Sequence, residues 1–110
     1  MEKIIGTFVF TNVGDGCLTS KYVNNVMDTP LVEGCKLISE GNYQDHFIGN
    51  FKTTWIENEN ESIFCNLNIS NKTESIYNLK WSNIEKPNKI IFVGIGMIYQ
   101  GNLVGSYWSL

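Results

Sequence analysis

The chain has 110 residues, 43% of them hydrophobic and 13% aromatic, the make-up of one globular domain with a single core and not of a disordered segment. Its net charge of -3, its scattered lysines and its lack of any arginine exclude a clustered phosphate-reading surface, so no nucleic-acid partner is expected. No run approaches the roughly 18 apolar residues of a membrane-spanning helix, and no membrane association is expected.

Met1 to Gly6 shows no signal-peptide pattern and passes straight into a strand, which points to a cytoplasmic protein. The cysteines, Cys17, Cys35 and Cys65, are odd in number, widely spaced and without a CxxC pair. That pattern predicts reduced thiols and no metal site.

Ile4 to Thr11 is rich in β-branched and aromatic residues and predicts a strand with Gly6, Phe8 and Phe10 on one face. Asn12 to Gly16 is a turn, since Gly and Asp tolerate positive φ. Cys17 to Val23 is the next strand, with Leu18, Ser20 and Tyr22 on one face. Asn24 to Gly34, with Pro30 and two turn-prone clusters, reads as the longest loop. Cys35 to Ser39 is a short strand, and Glu40 to Asp45 a turn. His46 to Glu57 alternates strictly, with Phe47, Gly49, Phe51, Thr53 and Trp55 facing the core. After an acidic turn at Asn58 to Glu61, Ser62 to Ile69 places Ile63, Cys65, Leu67 and Ile69 on one face. Ser70 to Thr73 turns the chain into Glu74 to Ser82, whose Tyr77, Leu79 and Trp81 share a face. Asn83 to Lys89 is a connection. The remainder is two strands joined at Gln100-Gly101-Asn102, with Gly94, Gly96 and Gly105 inside them.

About eight short strands with hairpin-length connections and no helical period predict an all-β, antiparallel, up-and-down meander. Interior glycines allow a sheet to bend, and closure removes both exposed edges, so the expected form is a closed β-barrel, with a sandwich as the alternative.

The stretch Gly14-Asp15-Gly16-Cys17-Leu18-Thr19-Ser20-Lys21-Tyr22 resembles the turn and second strand of avidin-like proteins, within the calycin type of small meander barrel. In that family Asp-Gly precedes a Leu-Thr-Gly-x-Tyr strand; here Ser20 stands in place of the glycine. Trp55, Trp81 and Trp108, late in their strands, are similar to the tryptophans lining that family's pocket. The resemblance covers short patches and implies the barrel fold, with Tyr22 as a pocket-lining hydrogen-bond donor.

The residues themselves offer an aromatic lining for a barrel pocket. The candidate ligand-binding residues are Tyr22, Phe51, Trp55, Tyr77, Trp81, Tyr107 and Trp108, with Phe8, Phe10 and Phe47 beside them. The expected ligand is small and apolar or aromatic, held at one barrel end. The alternative is a barrel filled by its own side chains that serves as a protein-interaction module of inhibitor or immunity type, or as a homo-oligomer. Asp45-His46 is the one acid–imidazole neighbour pair, but adjacent strand residues point to opposite faces. With one histidine and no arginine, most hydrolase and transferase designs lack parts, so no enzyme and no cofactor are expected. Glu33 to Lys36 and Glu57 to Glu61 read as solvated acidic loops without the spacing of a calcium loop.

Overall fold

The computed structural model describes residues 3–38, 45–58 and 61–110. The strands are β1 (Ile5–Gly14), β2 (Cys17–Asn24), β3 (Leu31–Leu37), β4 (Gly49–Asn58), β5 (Glu61–Asn71), β6 (Tyr77–Asn83), β7 (Ile90–Tyr99) and β8 (Asn102–Ser109). Each pairs antiparallel with its neighbour in sequence, and β1 pairs with β8, so the sheet closes into an eight-stranded up-and-down barrel. Among the described residues no helix is long and apolar enough to cross a membrane.

The turns use the residues that positive φ demands. Gly14, Asp15 and Gly16 all have positive φ and link β1 to β2. Gln100 (φ 51°) and Gly101 (φ 80°) form the turn between β7 and β8, with Tyr99 paired to Asn102. Positive φ at both central positions gives the strands the twist that a two-residue hairpin needs. Asn102 is thus the first residue of β8 rather than part of the turn's centre.

Side-chain alternation follows the predicted parity in most strands. Phe8 and Phe10, Leu18 and Ser20, Phe51 and Thr53, Cys65, Leu67 and Ile69, and Tyr77, Leu79 and Trp81 are all buried inside. Several boundaries differ. β1 runs on to Gly14, so Asn12 and Val13 belong to the strand and not to the turn. The long loop ends at Leu31, not Gly34, so β3 begins four residues before the expected strand. β4 begins at Gly49, with His46 and Phe47 in a turn before it. β5 runs on to Asn71, and β6 begins at Tyr77, after a turn that starts beyond Asn71. The expected turn at Glu40 to Asp45 and the tip at Glu59 and Asn60 fall almost wholly outside the described residues.

Gly94, Gly96 and Gly105 lie where neighbouring backbone comes too close for a side chain. An added Cβ on Gly105 would sit 2.0 Å from the Ile95 carbonyl oxygen and 2.7 Å from the Gly96 Cα. One on Gly96 would meet the Val104 carbonyl oxygen at 2.9 Å and the Phe8 ring at 3.4 Å. Gly96 and Gly105 face each other in the β7–β8 register, and Gly105 faces Phe8 across β8–β1. The missing side chains let these strands coil tightly and leave the Phe8 ring its place in the core.

Among the described residues no disulfide joins Cys17, Cys35 or Cys65. Cys35 and Cys65 both flank Thr53, one on β3 and the other on β5. Two strand spacings, about 10 Å, separate them, beyond the reach of a disulfide at about 7 Å between Cα atoms.

Candidate functional site

The meander puts alternate connections at opposite ends, and the two halves of the barrel differ. In the half near the β1–β2, β5–β6 and β7–β8 turns the interior is packed by Phe10, Leu18, Phe51, Leu67, Ile69, Leu79 and Leu103, each no more than 2% exposed. Phe47 caps this end, and the Tyr77 phenol donates to the Asp45 carboxylate at 2.5 Å. Burial, followed by that hydrogen bond and the charge of Asp45, pushes the Tyr77 phenol up to about 12. The Asp45 carboxylate also accepts the Phe47 backbone N–H at 3.0 Å, and His46 is exposed. Asp45 therefore serves as the cap of the filled end.

The other half is hollow. A cavity of about 210 Å³ is lined by Ile4, Phe8, Tyr22, Asn24, Val26, Met27, Leu31, Glu33, Trp55, Trp81, Phe92 and Tyr107. Its inner wall is an aromatic cluster centred on Tyr107. Trp81, Phe92, Tyr22 and Phe8 have ring centroids 5.8, 5.7, 6.3 and 6.5 Å from that ring, in tilted or edge-on contact. The Asn24 amide donates to the Tyr107 hydroxyl at 3.0 Å and orients it. Burial raises the Tyr107 phenol above its ordinary range.

Glu33 is the acid at the base of this cavity. It was expected on a solvated loop; instead β3 carries it inward, in register with Ser20 on β2 and Trp55 on β4, and it is 4% exposed. Its carboxylate accepts three hydrogen bonds. Ser20 Oγ donates to Oε1 at 2.9 Å, Trp81 Nε1 donates to Oε2 at 2.9 Å, and Thr53 Oγ1 donates to Oε2. Cys35 Sγ in turn donates to Thr53 Oγ1 at 3.4 Å, so the threonine's own proton is free to point at the acid. The Trp81 bond crosses the barrel from β6 to β3. Burial raises the Glu33 carboxyl above its ordinary range, and the bonds from Thr53, Trp81 and Ser20 oppose that shift without cancelling it. Burial likewise pushes the neighbouring Cys35 thiol up, reinforced by the charge of Glu33, so it is poorly nucleophilic.

Of the expected ligand-binding residues, Tyr22, Trp55, Trp81 and Tyr107 meet around the cavity. Phe51 and Tyr77 also face inward but lie in the filled half, as do Phe10 and Phe47, so they pack the core instead of lining the cavity. Trp108 is the clearest correction. It follows Tyr107 in β8 and so takes the opposite face, beside Ile5 of β1 and Val93 of β7 on the outside of the barrel. Glu33 and Asn24 were not anticipated. The alternation Leu31, Glu33, Cys35, Leu37 was the available signal for Glu33, once the strand is extended back from Cys35.

No protein-family model matches the chain, and no curated protein and no solved structure is detectably similar to it.

Proposed function

We propose that the protein is a small-molecule-binding barrel that holds a compact, partly apolar ligand in the open half of its interior. The observation that supports this reading is the contrast between the halves. A barrel of this size can be filled by its own side chains. One half is filled, while the other keeps an aromatic cavity with a few directed polar groups, the general form of a ligand site. A cavity of about 150 Å³ is enough for benzene, so this one suits a single ring with a short substituent, with longer groups reaching out of the mouth. The aromatic walls take the apolar body out of water, at about 25 cal/mol per Å² buried. Glu33, Asn24 and the tyrosine hydroxyls set its orientation. The resemblance to avidin-like barrels supports the fold and not biotin as the ligand, since the polar set that holds a biotin head group has no residue-by-residue counterpart in this sequence.

The test is tryptophan fluorescence of the full chain against a panel of small aromatic and aliphatic compounds, repeated with Trp55→Ala. Trp55 is partly buried and lines the cavity, so its loss removes contact surface while the core around Phe10 and Leu103 stays packed. A saturable response in the wild type, weakened about tenfold in Trp55→Ala, is the expected result. A flat response across the panel, or undiminished affinity in a folded Trp55→Ala variant, contradicts the reading.

A further inference from the structure

Glu33 is a buried acid whose hydrogen-bond partners, Ser20, Thr53 and Trp81, are all neutral. A buried carboxylate is costly unless it is paired with an opposite charge. The titratable side chains facing it from the surrounding strands, Cys35, Tyr22 and Tyr107, never carry positive charge. Among the described residues that line the cavity, none is Lys, Arg or His. The donors are also incomplete. A carboxylate offers about four acceptor sites, and three are used, two of them on Oε2. The remaining capacity is on Oε1, and Glu33 borders the cavity. Above it stand the faces and edges of Phe8, Tyr22, Trp55, Trp81, Phe92 and Tyr107, rings of the type that attract an organic cation within about 6 Å.

We propose that the cavity takes a small organic cation, an ammonium on an apolar or aromatic body, with Glu33 as its counter-ion. This rests on the reading of the barrel as a small-molecule receptor and names the chemical class of what it holds. The ammonium donates to Oε1, the rings enclose the rest of the cation's charge, and the apolar body fills the space toward Ile4 and Leu31. An anionic head in the same place meets a carboxylate with no compensating cation. A neutral hydroxyl can donate to Oε1 but leaves the buried charge unpaired.

The experiment compares head groups on fixed bodies. Phenylethyl, indolylethyl and n-hexyl compounds, each as the primary amine, the alcohol and the carboxylate, are titrated calorimetrically into the full chain at neutral pH. The expected result is binding by at least one amine, about tenfold or more tighter than its alcohol, with the carboxylate weakest. Lowering the pH protonates Glu33, so the amine's advantage should shrink toward acid. Glu33→Gln should remove the preference for amine over alcohol. If that variant does not fold, the head-group order and its pH dependence in the wild type still decide the matter. Equal or tighter binding of the alcohols or carboxylates overturns the cation assignment and leaves the receptor reading standing. If no compound of any class binds more tightly than about 1 mM, both fail.

Discussion

Glu33→Ala is expected to destabilise the barrel by about 2–4 kcal/mol, because it strands buried donors whose desolvation has already been incurred. Ser20 is 2% exposed, Thr53 0% and Trp81 5%, and each gives a hydrogen bond to this carboxylate. Losing the acceptor costs about 1–3 kcal/mol for each group left unsatisfied, reduced where water from the adjoining cavity can reach it. Glu33→Gln should behave oppositely. It keeps a carbonyl oxygen for Trp81 and Thr53 and removes the buried charge. The folded-state carboxyl is raised above its ordinary 4.5, so between that pH and its folded value the native chain holds a proton that the unfolded chain has lost. Stability from this group is therefore fully present below the ordinary value and declines as pH rises through the folded one. Denaturant midpoints of wild type and Glu33→Gln, measured at about pH 4 and at neutral pH, should diverge in favour of the glutamine variant as pH rises. A gap that narrows with rising pH contradicts this.

Gly105→Ala is expected to be the most damaging methyl group that can be added to the chain, costing about 4 kcal/mol or more and leaving little folded protein. The new Cβ would lie 2.0 Å from the Ile95 carbonyl oxygen. Relief requires β7 and β8 to part, which breaks the ladder at Gly96–Gly105 and disturbs the closure through β1, where Gly105 pairs with Phe8. Gly34→Ala is the control. Nothing lies within 4 Å of its added Cβ, so the change should be neutral, or stabilising by about 0.4–1 kcal/mol through the unfolded chain. Thermal or denaturant unfolding of the two variants checks the contrast, and similar midpoints would remove the argument that close approach at Gly105 shapes the barrel.

The period of two was enough to read most of this fold from sequence, because a strand with one face inside a barrel must alternate. Phe51 and Thr53, like Tyr77, Leu79 and Trp81, point inward as their spacing requires. Parity gives direction but not height along the barrel. Phe51 and Trp55 share a face, yet one packs the filled half and the other lines the cavity. That difference depends on how far each strand is staggered against its neighbours, which no single strand encodes. Trp108 could have been rejected by parity alone, since Tyr107 and Trp108 are consecutive. Glu33 was hidden for two reasons. Pro30 and the Asn/Asp clusters before it look like a loop, and an acid in such a setting is ordinarily solvated. Ser20 and Thr53 come from the neighbouring strands β2 and β4, but Trp81 comes from β6, and only closure of the sheet brings it across the barrel to the acid.

The indole N–H signals of the three tryptophans in a nitrogen–proton correlation spectrum test the occupied cavity most directly, with 2-phenylethylamine added to the full chain. The Trp81 N–H holds Glu33, Trp55 lines the cavity, and Trp108 is on the outer face. Saturable shifts of the Trp81 and Trp55 signals, with Trp108 stationary, are the expected result. A shift of Trp108 alone, or three unmoved signals at saturating amine, would contradict a ligand site in the open half of the barrel.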